Sequence, residues 1–309
     1  MGLISNRGHE RALMSTSRES IGLMTENAEQ GEIVPVFVIE PRSGWAALDL
    51  AELWRYRELA YYLAWRDVKV RYKQTVLGAG WALIQPLMLM VVFTLVRTLM
   101  TNSNAESDWK KEYPYHVFVY AALLPWQFFS FCVTQSSQSL VSSANMISKI
   151  YFPRLLVPVA TVGVGILDFL VASPILVGMM LWYRIMPGLP VLALPLILLG
   201  LLLASVGVGT WLSAMAVTYR DVRYVVPFLT QLWMFATPVI YDFEKIPERW
   251  RLIYCLNPAA GLISNFRSCL FGDPMHWDCL LVSLSTSLLV FVCGAFYFRR
   301  VERRFADIV

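Results

Sequence analysis

Over most of this chain apolar residues do not alternate with polar ones; they gather into long uninterrupted runs. Roughly 20 apolar residues in helix cover a hydrocarbon core of about 30 Å. Six such runs stand at approximately 76–100, 116–137, 155–183, 190–217, 224–241 and 276–298. The stretch 247–272 is also apolar, but "NPAAG" and Arg267 interrupt it. Irregular backbone at membrane depth survives only where protein or water satisfies it, so this stretch predicts a re-entrant helical segment before the last span. Upstream, Asp49 followed by Glu52 is a capping-box-like helix start, and neither Pro nor Gly interrupts the chain from there to residue 73. Tyr61, Ala64, Trp65, Val68 and Tyr72 recur at steps of three and four, while Arg66, Lys69 and Lys73 share another face. That pattern predicts an amphipathic helix on the membrane surface, turning at Gly78 and Gly80 into the first span. A lever between cytoplasm and membrane and a plain anchor both fit it.

Composition agrees: 57% of the residues are hydrophobic and 16% charged, and the mean hydropathy is +0.54. The expected fold class is therefore all-α integral membrane protein, with six transmembrane helices, an N-terminal amphipathic interface helix and the re-entrant segment. Lys and Arg in short loops set orientation. Arg57, Arg66, Lys69, Arg71 and Lys73 precede the first span; Lys149 and Arg154 follow the second, Arg220 and Arg223 the fourth, and Arg299, Arg300, Arg303 and Arg304 the sixth. All fall on one side, which predicts a multi-pass membrane protein with both termini cytoplasmic. The opposite side carries Lys110, Lys111 and Arg184, plus a long final loop with Lys245, Arg249, Arg251 and Arg267. The net charge of +4 then reflects topology and anionic headgroups rather than nucleic acid.

The expected organisation is a mostly disordered cytoplasmic tail over 1–44, the interface helix over 45–75, the six-span domain over 76–298 and a short cytoplasmic tail over 299–309. Five cysteines are scattered without a CxxC pair. Most read as small apolar fillers; only Cys255 and Cys269, in the expected outer loop, could meet an oxidising compartment, and whether they pair stays open.

Enzymatic chemistry has little support. His9, His116 and His276 are far apart and lack metal-ligand neighbours at helical spacing, so neither a metal site nor a catalytic residue is expected. No G-x-x-x-x-G-K-[ST] occurs; the glycines of "GVGIL" and "SVGVGTW" suit helix packing, with Ser205, Gly209 and Ser213 at steps of four. Asp168 in "VGVGILDFLVA" is the clear charged residue inside a span. Two roles remain open for it, a hydrogen bond to a neighbouring helix or proton coupling. Arg97 and Arg184 sit near outer span ends, where long side chains reach headgroups.

Several stretches together resemble the membrane subunits of ABC-type polysaccharide exporters, the family of O-antigen, teichoic-acid and capsule export permeases. They are "ELWRYRELAYYLAWRDVKVRYKQTVLGAGWALIQPL" (52–87), "ANMISKIYFPRLLVPVA" (144–160), "LDFLV" (167–171), "AVTYRDVRYVVPFLTQLWMFATPVIY" (216–241) and "IPERWRLIYCLNPAAGLISNFRSCLFG" (246–272). The likeness runs from about residue 45 to 298.

The resemblance implies a homodimer bound to two copies of a separate ABC ATPase subunit, which would use ATP and Mg2+ while this chain binds no cofactor. It implies a lipid-linked polysaccharide as substrate and no ATPase site in this chain. The family's coupling helix maps onto about Ser142–Tyr151, making Asn145, Met146, Ile147, Lys149 and Tyr151 the candidate ATPase contacts. Tyr61, Trp65, Arg66, Lys69, Tyr72 and Lys73 belong to the matching interface helix. Related permeases line their channel with the first and fifth spans. Here those spans carry Trp81, Gln85 and Met88, and Tyr224, Phe228, Gln231 and Phe235, at steps of three and four. A packing seam fits the same two stripes. Aromatic residues make up 14% of the chain, with 11 Trp; many suit interfacial belts, Trp126 and Trp182 among them. The alternative cargo is a small amphiphile or drug. A membrane-bound glycosyl- or acyltransferase lacks a visible acid/base pair.

Overall fold

The computed structural model describes residues 54–73, 78, 80–100, 113–147, 149 and 152–302. These residues belong to one compact unit, and among them there is helix and no strand. The expected helix start at Asp49 and Glu52, the N-terminal tail and residues 303–309 lie outside the described residues.

Helix α1 (Arg57–Lys73) is followed by α2 (Gly80–Met100). Gly78 between them has φ +50°, a left-handed turn that L side chains rarely adopt. The long α3 (Tyr115–Ser142) comes next, then the four-residue α4 (Ala144–Ile147), α5 (Leu156–Trp182) and α6 (Leu194–Thr218). The final part comprises α7 (Val222–Phe235), α8 (Glu248–Cys255), α9 (Pro258–Phe271) and α10 (Trp277–Glu302).

Five of these segments are long and apolar enough to cross a membrane: α2, α3, α5, the 30-residue stretch Leu189–Thr218 and α10. The expected fifth run, 224–241, forms only the 14-residue α7, about 21 Å at 1.5 Å per residue. Pro238 accounts for the early stop, because the residue before proline is pushed out of the helical region. Residues 247–272 form two short helices meeting at Asn257, whose side-chain oxygen accepts from Ala259 N–H (3.2 Å) and from Trp233 Nε1 (2.9 Å). Its amide nitrogen donates to the Ala236 carbonyl and to Thr237 Oγ1. The "NPAAG" break is thus a four-bond knot that satisfies the frayed end of α7 and the start of α9 together.

Helix α3 is apolar on every side along residues 117–124 and is buried throughout that stretch, as expected of a central helix. Helices α2, α5, α6, α7 and α9 pack around it, and α10 packs on α6. The expected small-residue seam is present: a Cβ on Gly209 would meet Ser136 of α3 at 2.7 Å. A second close approach joins α6 to α10, where a Cβ on Gly207 would meet the Phe291 backbone at 2.6 Å. Trp126, expected in an interfacial belt, is instead only 3% exposed, beside Phe129; its place midway along the central helix leaves it no lipid to face. Trp182, at the end of α5, is exposed.

Arg267, expected among the outer-loop charges, is buried on α9. Its guanidinium lies 3.9 Å from the Phe118 ring centroid and donates to the Tyr241 carbonyl. Nearby, Tyr113 donates to Asp273 at 2.6 Å; burial, and then this bond, raises the Tyr113 hydroxyl well above the ordinary tyrosine range.

The structure holds a disulfide between two cysteines that the sequence did not pair. Cys255 at the end of α8 bonds Cys279 in the first turn of α10, with Cα atoms 5.3 Å apart. Cys269 is free and buried, because α9 tucks into the bundle and turns this thiol toward Met275. Cys279 sits at the mouth of the last span, next to the end of α8.

Candidate substrate cleft and coupling surface

One end of the bundle gathers every element expected at the cytoplasmic face. Leu63 of α1, Leu140 of α3, Leu155 and Leu156 before and in α5, Ala214 of α6 and Phe298 of α10 form one apolar cluster, with Met146 and Ile147 of α4 packed against it. Arg154 clamps it, its backbone N–H and Nη1 donating to Glu302 at the end of α10. The basic residues at the ends of these helices, Lys149, Arg220, Arg223, Arg299 and Arg300 among them, therefore crowd one end of the protein.

Among the candidate ATPase contacts, Asn145 and Lys149 are exposed and Met146 and Ile147 half-buried; Tyr151 lies outside the described residues. The interface helix touches this loop directly, as Arg66 Nη1 donates to Met146 Sδ at 3.3 Å and also holds Asp67 at 2.8 Å.

The face that α1 buries shares Ala64 with the aromatic stripe read in the sequence but centres on residues outside both stripes. Leu63 is 2% exposed, with Leu59, Ala60 and Ala64 beside it. Tyr61 and Trp65 point away from the bundle, with Lys69 Nζ 5.5 Å from the Trp65 ring centroid, and Lys73 is exposed. Leu59 and Leu63 belong to neither sequence stripe; the signal that marks them is their own helical spacing of four.

Tyr72 turns back toward the membrane domain and donates its hydroxyl to Asp168 of α5. Burial, then this bond, pushes Tyr72 up to about 12, so it remains a donor at neutral pH. Arg71 Nη2 lies 3.0 Å from the other Asp168 oxygen, and its guanidinium lies 4.3 Å from the Phe131 ring centroid. The charged residue left unpartnered by its own helix is thus held by two neighbours on α1.

These groups border a cleft of about 210 Å3 between α1, α2, α3 and α5, lined also by Gln85, Gln127, Ser130, Thr134 and Gln135. Gln85 Nε2 is 3.5 Å from Gln127 Oε1. The polar residues on α3 were not singled out in the sequence, where an amide within a long apolar run was the available signal.

The two expected channel stripes are not joined within one chain. Gln85 enters the cleft just described, while Trp81 and Met88 are exposed on α2. On α7, Val226, Thr230 and Met234 are buried at steps of four. The opposite face carries Tyr224, Phe228 and Phe235, exposed by 82, 61 and 56%, with Gln231 beside them. No α7 residue lines the cleft. Among the described residues no cluster of three or more His, Cys, Asp and Glu is arranged to hold a metal ion.

Three curated relatives carry the name O-antigen export system permease protein RfbA. Two are from Klebsiella pneumoniae, 29% and 27% identical over 245 residues that cover 79% of this chain and 92% of each relative. The third, from Myxococcus xanthus, is 28% identical over 259 residues, 81% of this chain and 96% of that protein. With its apolar helices and a match to the family described as ABC-2 type transporter over residues 58–271, the chain is a multi-pass membrane protein that belongs to the ABC-2 type transporter family.

Proposed function

We propose that this chain is the channel-forming subunit of an ATP-driven exporter that moves a lipid-linked polysaccharide, an O-antigen-like surface glycan, across the bacterial cytoplasmic membrane. It works as a homodimer with two copies of a separate ATP-binding subunit, which supply ATP and Mg2+ chemistry; this chain holds no cofactor. Both termini are cytoplasmic, α7 with the turn after it makes the fifth of six crossings, and α8 with α9 forms the re-entrant segment.

The observation that carries this reading is the exposed face of α7. An amide amid apolar residues needs a partner at membrane depth, and Gln231 stands between the exposed rings of Tyr224, Phe228 and Phe235. Rings that meet sugar C–H faces beside an amide that meets hydroxyls suit a glycan path, with Trp81 and Met88 of α2 completing it across a second copy. The names of the relatives support the same cargo. The basic end, with Asn145 and Lys149 exposed on it, supplies the ATPase contact, and α1 relays the movement.

Deletion of the gene in its host tests this. Surface glycan should disappear while lipid-linked polymer accumulates inside, and both should recover on complementation. Unchanged surface glycan would overturn the reading.

A further inference from the structure

We infer that the cleft between α1, α2, α3 and α5 is a binding site for one neutral sugar ring, reached before the glycan enters the channel; this rests on the exporter reading above. The cleft lies toward the basic end of the bundle. Gln135 is seven residues from the end of α3 and Asp168 twelve from the start of α5, about 10 and 18 Å along their helices.

Its chemistry selects the ligand. Arg71 and Asp168 form an ion pair at 3.0 Å, so the cleft presents a balanced pair of charges, a poor trap for a phosphate. The amides of Gln85, Gln127 and Gln135 offer donors and acceptors side by side, as neighbouring hydroxyls require. The side chains of Ser130, Thr134 and Gln135 line the cleft, and among the described residues they have no hydrogen-bond partner. Polar groups left so in hydrocarbon cost about 1–3 kcal/mol each, which disfavours an acyl chain as the occupant. The rings of Phe128, Phe131 and Phe169 supply apolar walls for sugar C–H faces. A volume of about 210 Å3 is below the range of about 300 Å3 upward that takes drug-sized molecules, and so fits a single ring rather than a chain.

The test uses the full chain in nanodiscs, with Cys293→Ser removing the exposed free thiol and Gln135→Cys placing a reporter in the cleft. A water-soluble maleimide labels the reporter, and the probes are octyl glucoside and octyl phosphocholine at levels that leave the discs intact. The glucoside should slow labelling by about tenfold, and Gln127→Leu should remove most of that protection. Thr134→Cys repeats the measurement should the first reporter misfold. Equal slowing by both probes would show an acyl-chain groove and overturn the proposal, as would no slowing by the glucoside. Surface glycan is scored separately. Export without protection sinks the sugar site alone, whereas protection without export leaves the site and sinks the exporter reading.

Discussion

Arg71 of the short α1 holds Asp168 of α5 at 3.0 Å, and the adjacent Tyr72 donates to the same carboxylate. One carboxylate thereby fastens α1 to α5, a helix long and apolar enough to cross a membrane. Breaking one partner strands the other, which costs more than removing both. Asp168→Ala should therefore lower unfolding stability by about 2 kcal/mol, and Arg71→Ala/Asp168→Ala should lose clearly less than the two single changes combined. Thermal unfolding in detergent across the double-mutant cycle measures this. Simple additivity would mean that the ion pair contributes nothing.

Asn145 is exposed at the basic end, whereas Ile147 packs into the inner cluster. Asn145→Asp should leave the fold intact and weaken co-purification of the ATPase subunit by at least about tenfold, as a contact near the centre of an interface does. Ile147→Asp should instead lower expression and stability, since it buries a charge among aliphatic side chains. Normal ATPase capture by Asn145→Asp would place the docking surface elsewhere.

The two faces of α7 should respond oppositely. Phe228→Ala, Gln231→Ala and Phe235→Ala remove exposed groups, so stability should stay within about 0.5 kcal/mol while surface glycan falls. Met234→Ala, on the buried stripe, should cost about 2–5 kcal/mol. Cell-surface glycan staining and thermal unfolding separate the cases. Loss of folding on the exposed face would identify a packing seam.

Cys255 and Cys279 should resist alkylation until reduced, whereas Cys293 labels at once. The bond closes a loop of 24 residues, so Cys255→Ser/Cys279→Ser should lower stability by about 3 kcal/mol by chain-entropy arithmetic. Mass spectrometry before and after reduction reads the first effect and thermal unfolding the second. Free thiols at both positions in protein from oxidising export conditions would contradict the bond.

Spans and basic ends were legible because each rests on local composition. The fifth run was legible only in part, since its apolar residues continue past Phe235 while Pro238 ends the helix. What stayed hidden depends on contacts between distant segments. The sequence shows Asp168 without a helical neighbour, but only folding brings Arg71 and Tyr72 to it. Trp126 carries no mark that its helix is central. Cys279 looks like a filler until α8 returns to the mouth of α10. Aromatic periodicity in α1 was real, yet burial follows Leu59 and Leu63, whose spacing is equally helical.

The contact of Gly207 with α10 has a mechanical meaning. A Cβ on Gly294 would meet the Gly207 carbonyl, as one on Gly207 would meet the Phe291 backbone; at this crossing the two helices touch main chain to main chain. Packed helices slide by reorienting the side chains between them, and at these two glycines backbone faces backbone instead. Helices α6 and α10 therefore form a rivet, a fixed crossing within the bundle. The opposite extreme of backbone geometry stands between α1 and α2, where Gly78 takes a left-handed φ of +50° that only a residue without a Cβ adopts freely.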